Sequence, residues 1–346
     1  MISYCQRGGI SMTDSQSKMQ FYQQMFGGSW ITQGIWVAAE LGLADMLVHG
    51  PRTAEELAEQ THTHSDALYR VLRALASVGI FAQDDRNRFS LTPLADLLRS
   101  DVVGSQRSLA IMMGAEFYEA WGELLHSVRT GEPGFHKRFG MPFFQYMTAH
   151  PERHSMYDAA MTGVHGPETE PMLDAYDFSR FGIVADVGGG NGLVLAAILN
   201  RHPSMQGILF DLSEVVDRAR PIISGSGLSG RCQIRVGDFF SSIPAGADAY
   251  VMRHIIHDWE DREAIAILRN CREAMNPDGR ILVVETVLPT GNEPCFGKWL
   301  DLMMLLVGGR ERTEEEYERL FSASGLRLNR VVSTASEVSI IEGLRV

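Results

Sequence analysis

The chain has 346 residues, 45% of them apolar, and carries a formal net charge of −12 at neutral pH. That length allows two domains with buried cores, and the acidic balance disfavours nucleic acid and anionic membrane surfaces as partners. No run approaches the apolar length of a membrane span, and the four scattered cysteines (Cys5, Cys232, Cys271, Cys295), with no Cys-x-x-Cys, fit a reducing cytoplasm and give no metal site.

Residues 1–17 are polar, lack a signal-like apolar core and are expected to be disordered. Residues 18–103 read as a small, mainly helical domain. Apolar residues recur at helical spacing through Gly34–Leu47, and Thr53-Ala-Glu-Glu56 starts a second helix with a capping box. Ser65–Ser77 places Leu68, Val71, Leu72 and Leu75 on one face of a third helix. Two short strands follow, Gly79–Ala82 and Arg88–Thr92, joined by a polar turn. Helix, helix and hairpin make a winged-helix-like pattern. A DNA-reading role is disfavoured, because the would-be recognition helix, Ser65–Ser77, offers only Arg70 and Arg73 and the first 100 residues hold eight Lys/Arg against ten Asp/Glu. His62 and His64 lie in a polar turn and read as solvated.

Residues 104–177 are helical and rich in methionine and aromatic side chains, including Met112, Trp121 and Met161. Such a set packs helices and a dimer core, and some of its members are expected to line a pocket for a flat apolar substrate. From 178 to 346 strands alternate with helices. Strand-like runs are Ile183–Val187, Gly207–Phe210, Cys232–Val236, Ala247–Met252 and Gly279–Val284. This is an open α/β sheet, and its ligands should gather at the carboxyl ends of its strands.

The first strand ends in Asp186-Val-Gly-Gly-Gly-Asn-Gly192. Glycines there let backbone approach a ligand closely. The spacing is neither the dinucleotide Gly-x-Gly-x-x-Gly nor a P-loop, and an acid beside phosphate is unfavourable. An acid suits a cationic cofactor, which points to S-adenosylmethionine. Asp211 ends the second strand roughly 20 residues on, the usual distance of a ribose-binding carboxylate. After the third strand Asp238 can accept from an adenine amino group and Phe239 can stack on the ring. After the fourth comes Arg253-His-Ile-Ile-His257-Asp-Trp259. His257 sits at the strand mouth and titrates near neutrality, so it can take a proton from a phenol. His254 competes for that role and is assigned to structure.

Asp186-Val-Gly-Gly-Gly-Asn-Gly192, Phe210-Asp-Leu, Gly237-Asp-Phe-Phe240, His257-Asp-Trp259-x-Asp261 and Gly309-Arg-Glu-Arg-Thr313 occur in that order. The chain therefore resembles the S-adenosylmethionine-dependent small-molecule O-methyltransferases, which include plant caffeic acid and flavonoid enzymes and bacterial natural-product enzymes. The resemblance implies an α/β, Rossmann-like methyltransferase domain over 178–346 and an N-terminal winged-helix-like dimerisation domain over 18–103, hence a homodimer. It implies that Gly188 and Gly190, with Asp186, line the methionine portion of the cofactor. Asp211 would hold its ribose, Asp238 and Phe239 its adenine, Trp259 would flank that ring, and Arg253 would supply a nearby cation. It also implies a general base, His257, flanked by Glu285 and Glu311, with no metal. Met112, Trp121, Met161, Asp258 and Met303 are the candidate substrate contacts, and an apolar Met112 suggests a ring system larger than a hydroxycinnamate. The expected reaction is in-line methyl transfer to a hydroxyl of an aromatic or polyketide-like molecule. Non-methylating chemistry on the same fold, or a winged-helix regulator, are the alternatives.

Overall fold

The computed structural model describes residues 14–346. By packing, the chain divides into two compact units, Met1–Leu125 with Lys137–Gly166, and His126–His136 with Pro167–Val346. The segment 104–177, expected as one connector, is shared between them.

Most of the polar start lies outside the described residues, but its last four residues already belong to the helix Asp14–Glu40. Extending a nucleated helix costs little per residue, so polar composition alone does not stop it. The expected helix Gly34–Leu47 is two helices, because Gly42 takes a left-handed conformation (φ 65°) before Leu43–Met46 begins. The helices Ala54–Thr61 and Ser65–Ser77 follow as read, the first with its capping box formed: the Glu56 amide donates to Thr53 Oγ1 at 3.3 Å and the Thr53 amide to Glu56 Oε2 at 2.8 Å. Strands β1 (Arg52–Thr53), β2 (Phe81–Gln83) and β3 (Arg88–Leu91) make a small antiparallel sheet in the order β1-β3-β2. Leu57, Leu68, Leu72, Leu75, Phe81 and Phe89 fill its core.

The second unit is built on β4 (Ile183–Val187), β5 (Gln206–Asp211), β6 (Cys232–Val236), β7 (Ala249–Arg253) and β8 (Arg280–Glu285), all mutually parallel. A parallel pair, β9 (Val287–Leu288) and β10 (Arg312–Thr313), lies apart from the main sheet. Of two strands the sequence reading did not name, β11 (Leu326–Ser333) and β12 (Ser339–Arg345), β12 pairs antiparallel with β8 and β11 antiparallel with β12, giving the order β11-β12-β8-β7-β4-β5-β6. Alternate residues of each strand face opposite layers: Val184 packs in one buried cluster and Ala185 and Val187 in the other. Strand order reverses direction of growth between β4 and β7, which opens a crevice at their carboxyl ends. No helix among the described residues is long and apolar enough to cross a membrane.

Candidate active site

Because the five central strands are parallel, their carboxyl ends share one rim, and the rim carries Asp186, Asp211, Asp238, Arg253–Trp259 and Glu285. Asp186 and Arg253 flank the switch point between β4 and β7.

Asp186 stands at the head of the glycine loop. It is buried, and its Oδ2 has no hydrogen-bond partner among the described residues. Burial pushes its pKa up to about 7, although the nearby Arg253 guanidinium opposes that shift. The loop it leads is shaped by glycine. Gly188 (φ 70°) and Gly190 (φ 57°) adopt left-handed conformations, and a Cβ on Gly190 would project into open space. A Cβ on Gly189 would come within 2.8 Å of the Asp186 carboxylate. The Gly190 amide donates to Asp211 Oδ2 at 2.9 Å, so Asp211 both closes the loop and stands on the rim. A buried carboxylate oxygen without a partner, a cradle of bare backbone and a ribose-height acid fit a cationic adenosyl compound such as S-adenosylmethionine.

The residues expected to form an adenine wall lie near one another. Asp238 is exposed and its Oδ1 accepts from the Phe240 amide at 2.8 Å. Trp259 stands edge-on to Phe239 (6.0 Å) and Phe240 (4.7 Å), so Phe240 completes an aromatic cluster that the sequence reading gave to Phe239 and Trp259. Arg253 donates to Thr169 Oγ1 at 2.9 Å, and burial pulls its pKa down.

His257 is buried on a short 3-10 turn, Ile256–Asp258. Its Nδ1 lies 2.7 Å from Glu311 Oε1. A carboxylate only accepts, so Nδ1 carries a proton, and in the neutral ring Nε2 is the nitrogen with the lone pair. Nε2 faces Asp258 Oδ1 at 3.6 Å. Glu285 acts mainly on the backbone: its Oε1 accepts from the amides of Ile255 (3.1 Å), Ile256 (2.9 Å) and His257 (3.2 Å). Its Oε2 stands 3.3 Å from His257 Nδ1. Glu311 is therefore the residue that orients the ring, and Glu285 fixes the turn beneath it. Burial pulls the His257 pKa down, but Glu285, Asp258 and Glu311 outweigh it and hold it up at about 10. His254 has a positive φ of 54° and places Nε2 2.8 Å from Glu168 Oε2, in keeping with a structural assignment.

Three further residues hold His257, none of them singled out from the sequence. Arg312, fully buried, donates to the carbonyls of Ile256 (3.2 Å) and Trp259 (2.8 Å) and to Asp261 Oδ1 (2.9 Å). Gly309 lies so close that a Cβ would sit 2.0 Å from the His257 carbonyl oxygen. The Asp301 carboxylate accepts the Glu311 amide at 2.9 Å. The signal was available in Gly309-Arg-Glu-Arg-Thr313, where only Glu311 was given a role. Of the candidate substrate contacts, Asp258 and Met303 belong to the second unit, the latter half-buried on the helix Gly297–Val307. Met112, Trp121 and Met161 belong to the first unit, where Met112 is fully buried.

An O-methyltransferase domain family matches residues 121–327, and an O-methyltransferase dimerisation domain matches residues 23–101. The chain is 47% identical over 320 residues to a phenazine O-methyltransferase, PhzM, of Lysobacter antibioticus, covering 92% of this chain and 94% of the relative. It is 38% identical to an aclacinomycin 10-hydroxylase, RdmB, of Streptomyces purpurascens, covering 84% of this chain and 80% of the relative. It is also similar to a crystal structure of NcsB1, an O-methyltransferase from neocarzinostatin biosynthesis, in complex with S-adenosylmethionine and 2-hydroxy-5-methyl naphthoic acid. That match has a TM-score of 0.82 and 35% identity, and covers 92% of this chain and 96% of the other.

Asp186 yields a two-sided prediction. Its folded pKa of about 7 exceeds the ordinary 3.8, so the charged carboxylate opposes folding increasingly as pH climbs through that interval, and fully above it. Asp186→Asn should leave the melting temperature of the ligand-free protein at pH 8 unchanged or higher. The same variant should lose most of the rise in melting temperature that S-adenosylmethionine gives the wild type. A wild-type rise in the variant would remove Asp186 from the cofactor site; differential scanning fluorimetry reads both.

Proposed function

The chain belongs to the S-adenosylmethionine-dependent O-methyltransferase family, and from that premise we propose that it methylates a phenolic hydroxyl of a fused-ring aromatic natural product with His257 as the general base. Its cofactor is S-adenosylmethionine, which supplies an electrophilic methyl group when bound. The observation that carries the reading is the His257–Glu311 pair at the strand mouth: Nδ1 is committed to Glu311, which leaves Nε2 to accept the hydroxyl proton.

The chain's own residues then divide the work. Asp186, Asp211, Asp238, Phe239 and Trp259 hold the cofactor, and the glycine loop lets it lie against backbone. His257 Nε2 takes the proton as the oxygen becomes nucleophilic, because a phenolate attacks where a neutral phenol does not. Glu311 keeps the ring in the productive tautomer and stabilises the imidazolium that forms. Glu285 and Arg312 keep the turn from shifting, since alignment itself supplies several kcal/mol, up to about 7–11 in favourable cases. Asp258 and Met303 are the substrate contacts within this unit. The fused-ring substrate class is supported by the names of the relatives, a phenazine enzyme and one crystallised with a naphthoic acid.

The hydroxylase among the relatives favours a second reading, non-methylating chemistry in the same pocket. Incubation with S-adenosylmethionine and a panel of hydroxylated fused-ring aromatics, followed by mass spectrometry, separates the two. A product heavier by one methyl group supports methyl transfer; a product heavier by one oxygen replaces it.

We propose that the enzyme is a homodimer. The helix Asp14–Glu40 exposes Tyr22, Phe26 and Trp30, successively stacked at 5.8 and 4.8 Å, and such an apolar stripe needs a cover.

Two predictions follow from the base and one from the stripe. His257→Ala should cut turnover on a neutral phenol by at least ~10²-fold while S-adenosylmethionine affinity, read by calorimetry, changes little. Near-normal turnover below the phenol pKa would reduce His257 to a positioning residue. Glu311→Gln should cost less, because an amide still orients the ring. Removing that negative charge should also lower the His257 pKa, so the rising limb of kcat/KM against pH should move to lower pH. A limb that stays put or moves up contradicts the pairing. Light scattering at micromolar concentration should give a dimer for the wild type and a monomer for Phe26→Glu combined with Trp30→Glu; a monomeric wild type rejects the assembly.

A further inference from the structure

Around His257 the same unit gathers metal-ligand chemistry that goes beyond the methyl-transfer reading, which gives His254 no part. His254, His257 and Glu285 each offer a ligand atom within 4.8 Å of the others'. Glu285 Oε2 stands 3.3 Å from the His257 nitrogen and 3.9 Å from the His254 nitrogen. Ligand atoms held about 2.0–2.1 Å from a tetrahedral zinc lie roughly 3.3–3.4 Å apart, so small side-chain movements would close this set on one ion. Glu285 is fully buried, and its Oε2 has no hydrogen-bond partner among the described residues. Its other oxygen is held by three backbone amides, which fixes the carboxylate in place. Glu311, whose Oε1 lies 2.7 Å from His257 Nδ1, offers a fourth ligand, a second carboxylate oxygen.

We propose that His254, His257 and Glu285 form an inhibitory binding site for a divalent transition metal ion such as Zn²⁺. Two imidazoles and a carboxylate suit Zn²⁺ and Co²⁺ and are unlike the all-oxygen sites of Mg²⁺ or Ca²⁺. Two negative carboxylates, Glu285 and Glu311, would offset the charge of the ion in a buried place.

The consequence for catalysis follows from the tautomer. Coordination uses the lone pair of His257 Nδ1, so the single proton of a neutral ring must sit on Nε2. The nitrogen that accepts the hydroxyl proton then becomes a donor, and the base is lost while the cofactor rim is left intact. This inhibitory consequence rests on His257 being the base; occupancy of the site does not.

The full chain, freed of metal with a chelator and dialysed, is titrated with Co²⁺ as the spectroscopic probe. The expected result is an intense visible d–d band that saturates at one ion per chain and is bleached by Zn²⁺. His254→Asn, chosen because asparagine tolerates the left-handed backbone at that position, should weaken Co²⁺ binding at least about tenfold. It should keep basal turnover close to wild type and remain active at Zn²⁺ concentrations that silence the wild type, whose activity a chelator restores. Glu285→Gln supplies a second check on the band alone, since its carbonyl can still accept the three amides while the ligand oxygen is gone. No band beyond that of hydrated Co²⁺, or unchanged binding in both variants, overturns the site. A saturated band with undiminished turnover overturns the inhibition. Should His257→Ala turn out active while the wild-type band is present, the reading of the base fails and the metal site stands.

Discussion

Glu285 is a fully buried carboxylate at the end of a central strand, and the active centre is arranged around the way its charge is satisfied. Leaving such a group unpaired would cost several kcal/mol. One oxygen is met by three successive amides, those of Ile255, Ile256 and His257, and that requirement bends the chain after β7 into a tight turn. The turn puts the His257 ring beside the second oxygen. Arg312 completes the clamp from the opposite polarity, donating to carbonyls on either side of the same turn. The histidine is thus located by its backbone before its ring makes any contact, and Glu311 has only to choose the tautomer.

The segment that carries Glu311 is built with the same economy. A capping box in which the Thr313 amide donates to Glu316 Oε2 at 2.8 Å starts the helix Glu314–Ala323 immediately after Arg312. The Asp301 carboxylate holds the Glu311 amide, and Gly309 permits the chain to pass against the His257 carbonyl. Four consecutive positions, 309 to 312, therefore carry a close approach, the Arg310 amide to the His257 carbonyl, the ring partner and the strut.

What could be read from sequence was what has a short-range signature. The glycine loop after β4, the acids closing β5 and β8, the aromatic after β6 and the His-Asp-Trp triplet sit next to the strands that place them, so finding the strands located the rim. The capping box at Thr53 is likewise a four-residue rule. Beyond reach was whatever depends on contacts distant in sequence. That Glu311 and not Glu285 bonds the ring is decided by an approach of residues 54 apart. Arg312 reads as one more charged residue until it is seen buried among carbonyls. Strands β11 and β12 were missed because their pattern is not that of a parallel strand between helices: β11 has one face to solvent and β12 is buried against β8. The break at Gly42 escaped notice because the apolar spacing runs through it, while the left-handed backbone there is set by what surrounds it.

Charge accounting explains why this centre cannot be described by one titrating residue. His257 is enclosed by Glu285, Glu311 and Asp258, and three carboxylates with one imidazolium would leave an excess of negative charge in a buried place. Burial answers by pushing Glu285 up to about 7 and Asp258 up to about 6, so both hold protons more readily than an ordinary carboxyl group, while the surrounding carboxylates hold His257 up at about 10 against its own burial. Protons are therefore shared out over the cluster, and the pH dependence of the reaction belongs to the group as a whole. Nε2 gains a lone pair when the cluster sheds the proton on it, and Glu311 is the member whose direct hydrogen bond keeps the remaining proton on Nδ1. A site that deprotonates a neutral hydroxyl needs both properties, a basic nitrogen and a fixed tautomer. In the role proposed for His257, the crowding of acids would supply the first and the Glu311 hydrogen bond the second.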